Sequence, residues 1–404
     1  MKTAVKTLTR AAAAMHFADQ MALVAVPILA ALVFNASAQT IGLLVACQSL
    51  AHLLGSLPFG LLVDRRDLRR LALLSFVISA AGLTGAAVGI ALERLVVFGF
   101  SITIAGFGVV LFGLSALSVL PRAEPIAGLA AANARIELPR SFNAFLVPLA
   151  VGIFATIDTA DWLFPLAVLI LLWGGLQLRS LPEYPGQIHS EQQSVFSRLR
   201  GGVQFVLGHS LLLSIALCAI FWNFAFAVLL VAMVPAVQTL FEAPAGVFGI
   251  AMACFGLGGF LGTWTIRNIG TWVAPNIVLL FGPGSSAVAM GAVYFAAQSQ
   301  TIEPLYVGFF FIGFGPAMWL VAQNSLRQVL APPQMLGRIN AVIQTAIYGV
   351  RPIGALVAGG VVGVMGPQVG LALALMAFGL SFAACLFSGL RRIGSLADLA
   401  DETA

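Results

Sequence analysis

Apolar residues fill this chain in blocks of about 20, separated by short polar breaks. The spacing lacks the polar stripe that a water-facing helix needs. Twelve blocks can be drawn, at roughly 11–34, 40–62, 71–92, 95–119, 134–156, 160–178, 210–235, 245–267, 273–296, 303–326, 338–364 and 368–390. About 20 residues at a rise of ~1.5 Å cross a hydrocarbon core of ~30 Å. The pattern therefore predicts an all-α membrane protein with twelve transmembrane helices. The breaks are short except for the one from Arg179 to about His209, which carries Pro182, Pro185, several Gln and Ser, and charges of both signs. It divides the chain into an N-terminal six-helix bundle (1–178), a linker (179–209), a C-terminal six-helix bundle (210–390) and a tail (391–404). The end of the linker, residues 195–206, spaces its apolar residues like an amphipathic helix with Arg198 and Arg200 on the wet side. An interfacial helix and a plain helical lead-in to the seventh span fit that pattern equally.

Composition supports this reading: 60% of residues are hydrophobic and only 9% are charged. A soluble domain could not cover its surface with so few charges. Where the charges fall sets the topology. With the N-terminus in the cytoplasm, Lys2, Lys6, Arg10, the Arg65–Arg70 cluster, Arg122, Arg135, Arg140, Arg179, Arg198, Arg200, Arg267, Arg327, Arg338, Arg391 and Arg392 all fall on the cytoplasmic side. Arg94 falls outside and Arg351 falls within a span, while Glu93, Asp158, Asp161, Glu242 and Glu303 hold the outer connections. This is the positive-inside distribution. It places both termini on the cytoplasmic side of the membrane, and it accounts for the net charge of +5 without nucleic acid. The start, with Ala36-Ser37-Ala38 before Gln39, has the outline of a cleavable signal. Its apolar run is too long and is broken by Asp19 and Gln20, so it is expected to remain as the first span.

Charge clusters once, after the second span: Gly60-Leu61-Leu62-Val63-Asp64-Arg65-Arg66-Asp67-Leu68-Arg69-Arg70. Such a run belongs at a membrane face. Gly60 would allow close helix approach, and Asp64, Arg65, Arg69 and Arg70 would build a breakable latch. A weak internal repeat is also visible. Leu120-Pro121-Arg122 followed by Asn133-Ala134 in the first half parallels Pro332-Pro333 followed by Gly337-Arg338-Ile339-Asn340-Ala341 in the second. Each leads into a helix with a proline and glycines, Pro148 and Gly152 in one, Pro352, Gly354, Gly359 and Gly360 in the other. Parallel repeats about an axis normal to the membrane are a transporter architecture.

The charged loop, with Asp64 where the general motif has Gly, resembles that of major facilitator superfamily transporters. Together with Leu120-Pro121-Arg122, Asn133-Ala134, Asn324-Ser325-Leu326, and Gly337-Arg338 leading to Pro352-Ile353-Gly354-Ala355-Leu356, it resembles the branch that includes enterobactin-type siderophore exporters and macrolide efflux proteins. Asp19 falls where that branch commonly carries an Asp. The resemblance implies two pseudo-symmetric six-helix bundles, alternating access, and export driven by proton influx. It also implies that spans one, four, seven and ten line the substrate cavity. The chain departs from the pattern in span four, whose polar residues are Ser101, Thr103, Ser115 and Ser118. It departs again in the stretch Asn143 to Gly152, and at Gly262-Thr263-Trp264-Thr265-Ile266-Arg267-Asn268, a copy of the charged loop with no acid.

Candidate chemistry follows from charges inside spans, which are expensive and need a reason. Asp19, with His16 almost a turn before it and Gln20 beside it, is the candidate proton-coupling carboxylate, and His16 could share its proton. The competing reading is a carboxylate that fixes helix packing. Arg351 cannot deprotonate, so it asks for a carboxylate, with Asp19 and Glu137 as candidates, or for an anionic substrate. Glu137 and Arg140, three apart, read as a structural charge pair. Trp222, Asn223, Trp319, Gln323 and Asn324 could face a ring-bearing amphipathic substrate, or serve as helix–helix glue. Gly256, Gly258, Gly259 and Gly262, and Gly354, Gly359, Gly360 and Gly363, put small residues at helix-packing spacing. Cys47, Cys218, Cys254 and Cys385 stand singly, as packing residues do. There is no Walker loop, catalytic constellation or metal-ligand set.

These features predict a secondary transporter rather than an enzyme. The expectation is export of small drug-like or siderophore-like molecules by proton antiport, with no cofactor, no metal, no nucleic acid, and a lipid-embedded monomer. The alternatives are a flippase or importer of lipid-like or organic anions and, more remotely, a membrane scaffold or sensor.

Overall fold

The structure, a computed structural model, describes residues 2–123, 126–156, 159–185, 195–269, 272–330 and 336–395. Among these residues regular structure is helical throughout. The helices are α1 (Lys2–Leu32), α2 (Ala38–Arg65), α3 (Leu68–Ala91), α4 (Leu95–Ala123), α5 (Ile126–Thr156), α6 (Leu163–Leu178), α7 (Val195–Gly208), α8 (Ser210–Thr239), α9 (Gly246–Ile269), α10 (Pro275–Ser299), α11 (Glu303–Leu330), α12 (Leu336–Met365) and α13 (Pro367–Leu386). Twelve of them are long and apolar enough to cross a membrane; α7, with 14 residues, is the exception. Large apolar side chains such as Val96, Phe100, Val288 and Phe295 stay exposed. Hydrocarbon accepts such a surface and water does not.

The first helix begins about nine residues before its expected edge. Lys6 and Arg10 hide these turns from a hydropathy reading, yet Ala4, Val5, Leu8, Ala11 and Ala12 are buried while Lys6 and Arg10 are exposed. That is an amphipathic continuation of the span.

The chain forms two compact units, Met1–Ser190 with Pro244–Ala253, and Glu191–Ala243 with Cys254–Ala404. In the first, α1 packs on α5 and α6, and α3 lies along α4. Glycines allow that last approach: a Cβ on Gly82 would sit 2.5 Å from the Ala105 nitrogen. Asn143 Nδ2 on α5 donates to the Ala13 carbonyl on α1 at 2.8 Å. Thr7 meets the Ser180 hydroxyl at 3.2 Å, and Arg10 donates to Gln177 Oε1 at 3.0 Å, so the start of α1 is fastened to the end of α6. Gly152 packs on α9, where a Cβ would lie 2.8 Å from the Gly246 oxygen.

In the second unit α8 is the most buried span, with α12 and α13 packed on it. Gly258 and Gly262 of α9 press against the carbonyls of Phe310 and Phe314 on α11, and Gly354 of α12 lies against the Phe224 carbonyl of α8. A Cβ on Gly259 or Gly360 would meet no atom of the described residues within 4 Å, although the sequence treats these glycines alike. Cys218 and Cys385 are buried, Cys47 and Cys254 half-buried, and all four are free thiols.

Candidate functional site

Asp19 sits half-buried in the middle of α1. Among the described residues its carboxylate has no hydrogen-bond or salt-bridge partner. It lines a cavity of about 10 Å³, together with Gln48 and His52 of α2, Ser79 of α3, and Ile102, Ala105, Gly106 and Val109 of α4. Gln48 is 8% exposed, and among the described residues its carboxamide has no partner either. The Ser79 hydroxyl donates to the Ala105 carbonyl at 3.2 Å. His52 Nδ1 lies 3.4 Å from the carbonyl oxygen of Gln48, one turn earlier in the same helix. A carbonyl only accepts, so the contact is a hydrogen bond in the tautomer or cation that carries a proton on Nδ1.

The cavity's described lining does not include His16 or Gln20, which lie half-buried on α1 beside it. Sequence reasoning missed Gln48 and His52. The available signal was two polar residues four apart on an otherwise apolar α2, and therefore on one helix face. The hydroxyls of α4 are turned inward: Thr103, Ser115 and Ser118 each bond the carbonyl four residues earlier.

In the second unit, Trp222 and Asn223 of α8 join other helices. The Trp222 indole N–H donates to Ser286 Oγ of α10 at 3.0 Å. Its ring stacks on Phe226 at 5.1 Å and 13°, Phe226 stacks on Phe255 at 5.0 Å, and Phe378 meets Trp222 edge-on at 5.9 Å. Asn223 Oδ1 accepts from Arg351 Nε of α12 at 2.9 Å, while its Nδ2 bonds the Ala219 carbonyl at 2.8 Å. Neighbouring α8 positions thus hold an aromatic stack and a half-buried cation.

The α11 candidates are placed differently. Gln323 Nε2 donates to Asn324 Oδ1 at 2.7 Å, and Arg327 donates to the same oxygen, a local knot near the end of the helix. Trp319 lies in the apolar core beside Leu279 and Leu326, pressed on Gly282. Its indole nitrogen makes no hydrogen bond among the described residues.

At the charged loop the described contacts are made by Asp67. It is the N-cap of α3: Oδ1 accepts from the Arg70 N–H at 2.9 Å, the first-turn donor that such a cap satisfies. Its Oδ2 accepts from the Tyr184 N–H at 2.8 Å, and the Leu68 N–H donates back to the Tyr184 carbonyl at 3.0 Å. Arg69 donates to the Arg179 carbonyl at 2.7 Å and lies 4.0 Å from Glu183. Arg122 of α4 donates to the Pro185 carbonyl at 2.7 Å. The loop therefore grips the start of the linker. Burial raises the Tyr184 phenol pKa above its ordinary value. Arg65 and Arg70 are exposed, as is Arg140. Among the described residues nothing lies within 4 Å of where a Gly60 Cβ would be, while Gly55 of α2 lies close against Phe107. The side chains of Asp64 and Glu137 lie outside the described residues.

Twelve helices long and apolar enough to cross a membrane, in two compact units, define a polytopic membrane protein, and the first unit holds Asp19 in a small cavity. The sequence pattern of the Major Facilitator Superfamily matches residues 9–355, and the chain belongs to that superfamily. It is similar to the enterobactin exporter EntS of Salmonella typhi, 25% identical over 351 residues that cover 85% of this chain and 82% of the relative. It is also similar to EntS of Salmonella typhimurium strain LT2, 26% identical over 347 residues at the same coverage. Among solved structures, a D-xylose-proton symporter superposes with a TM-score of 0.76 at 14% identity, covering 98% of each chain. A variant of the nucleoside transporter NupG gives 0.77 at 12%, covering 95% of this chain and 98% of the other.

Proposed function

We propose that this chain is a proton-driven exporter of small, ring-bearing amphipathic molecules, working by alternating access in a bacterial inner membrane with both termini cytoplasmic. The observation that carries the reading is Asp19, a carboxylate midway along α1 with no partner among the described residues and a small, largely apolar cavity in front of it that Gln48, His52 and Ser79 also line. A charge at that depth costs several kcal/mol, a cost that cyclic proton loading explains and packing does not. The likeness to enterobactin exporters favours outward movement. The Trp222–Phe226–Phe255 stack beside Asn223 and Arg351 offers faces and hydrogen bonds to an aromatic solute that carries acceptors. Arg351 also supports a second reading, import or flipping of an organic anion, with that guanidinium as the anion contact.

Purified protein in liposomes with a trapped pH-sensitive dye, given dyes, antibiotics and siderophores in turn, tests this. Proton flux that depends on one compound and vanishes in Asp19→Asn is expected. Compound movement without proton flux, the same in both proteins, would overturn the coupling and leave the anion reading.

A further inference from the structure

The cavity in front of Asp19 is too small for any organic substrate. Its volume of about 10 Å³ is about the least that admits one water, and a water needs two to four polar partners. Four polar side chains line it: Asp19, Gln48, His52 and Ser79. An imidazole among them, in place of a full set of oxygens, suits a proton better than a sodium ion.

We propose that this cavity is a two-group proton site in which Asp19 and His52 exchange a proton through one bridging water, held in place by Gln48 and Ser79. The inference deepens the proton-coupled reading above, because it names the second group of the same site. The transfer balances as a relay. The Asp19 carboxyl gives its proton to the water oxygen, and the water gives one of its own to the unprotonated ring nitrogen of His52. The products are carboxylate, water and imidazolium, and the reverse step restores the start. Gln48 is nine-tenths buried and its amide faces the same space, so it can hold the water whichever of the two groups carries the proton.

The other titratable or charged groups of the packed elements fall outside the described lining of the cavity. On α1 these are His16, Arg10 and Lys6; on α2, Cys47 and Arg65; on α3, Arg69 and Arg70; on α4, Arg122; on α5, Arg135 and Arg140; and Arg179 follows α6, while the side chains of Lys2, Asp64 and Glu137 lie outside the described residues. Among the described residues, Asp19 and His52 are the titratable groups of the cavity lining.

Two groups bridged by one water influence each other's titration by roughly one to two pH units, and the influence is reciprocal. The test reads it without any transported compound. Infrared difference spectra of reconstituted protein follow the protonated carboxyl band through a pH titration, with Asp19→Asn identifying the Asp19 band. Nitrogen NMR of labelled histidine follows His52, with His52→Gln identifying its signal. His52→Gln is expected to raise the Asp19 midpoint by roughly one pH unit or more, because a neighbouring imidazolium favours the carboxylate. Asp19→Asn is expected to lower the His52 midpoint by the same amount. Gln48→Leu, which removes a water partner and no charge, is expected to shrink both effects. Independent titration of the two groups, or shifts of undiminished size in the Gln48→Leu background, would overturn the relay. If His52→Gln fails to fold, the Asp19→Asn shift of His52 decides alone. Coupled titration together with no compound-linked proton flux would leave this site standing and sink the proton-driven reading. Proton-coupled transport with uncoupled titrations would do the opposite.

Discussion

Asp67 is a single carboxylate with two separable jobs, and Asp67→Asn separates them. Its Oδ1 caps α3 through the Arg70 N–H at 2.9 Å, and its Oδ2 holds the Tyr184 N–H at 2.8 Å. Asn caps a helix about as well as Asp, so the first bond survives the substitution. The second does not, because the amide nitrogen that replaces one oxygen donates and cannot accept. A hydrogen bond to a charged group contributes about 1.5–3 kcal/mol, and partial exposure at this site reduces that to about 1–1.5 kcal/mol. The Tyr184 amide should therefore exchange with deuterium about 5- to 15-fold faster in Asp67→Asn, since ~1.4 kcal/mol is a factor of ten. The Arg70 amide should change little. Asp67→Ala should accelerate both, with a further ~1 kcal/mol lost from the cap. Peptide-resolved hydrogen exchange over residues 67–72 and 179–185 reads the two sites in one experiment. Unchanged Tyr184 exchange in Asp67→Asn, or equal acceleration at Arg70, would refute the reasoning. The first outcome would mean that Arg69 and Arg122 hold the linker unaided.

Other consequences can be checked with similar economy. Gly258→Ala and Gly262→Ala force a methyl onto carbonyls of α11 and should each destabilise the protein by about 1–3 kcal/mol, read as a fall in Tm, whereas Gly259→Ala, with open space before it, should not. Asn223→Leu takes the acceptor from Arg351 and should cost about 1 kcal/mol, within the range measured for hydrogen bonds between membrane helices, while Asn223→Asp should recover it. The Tyr184 phenol should titrate above the free tyrosine value of about 10, seen as tyrosinate absorbance missing from Tyr184→Phe. Its folded pKa is raised, so the stability linked to its burial is complete below the free value and is lost as pH climbs through the folded one.

The twelve spans were legible because a bilayer demands unbroken apolar runs, which are the strongest signal a sequence carries. The early turns of α1 were not, because Lys6 and Arg10 break the run while the helix continues beneath them with one buried face. Asp19 stood out as a lone charge in a span. His52 and Gln48 did not, since a single imidazole and a single carboxamide in apolar surroundings look like ordinary helix glue. Only the packing of α1, α2, α3 and α4 turns them into the walls of one cavity. At the charged loop the motif drew attention to Asp64, whereas an Asp three residues before Arg70 and just ahead of an apolar run is also a helix-capping signature. The Asn324–Arg327 contact was readable from its spacing, since residues three apart on a helix meet, whereas the Gln323–Asn324 bond joins neighbours that spacing does not bring together. The aromatic stack was half visible: Trp222 was evident, but Phe255 and Phe378 reach it from distant helices.

The fastening of α1 to α6 also bears on how the protein is made. Thr7 and Ser180 lie 173 residues apart in the chain, and Arg10 and Gln177 lie 167 apart. At roughly 5–20 residues per second, a ribosome needs about 9–35 s to bring the second partner of each pair into existence after the first. For that interval the earliest span waits in the bilayer with Arg10 unclaimed and its seam open. The assembly step most exposed to quality control in the first unit is thus the arrival of α6.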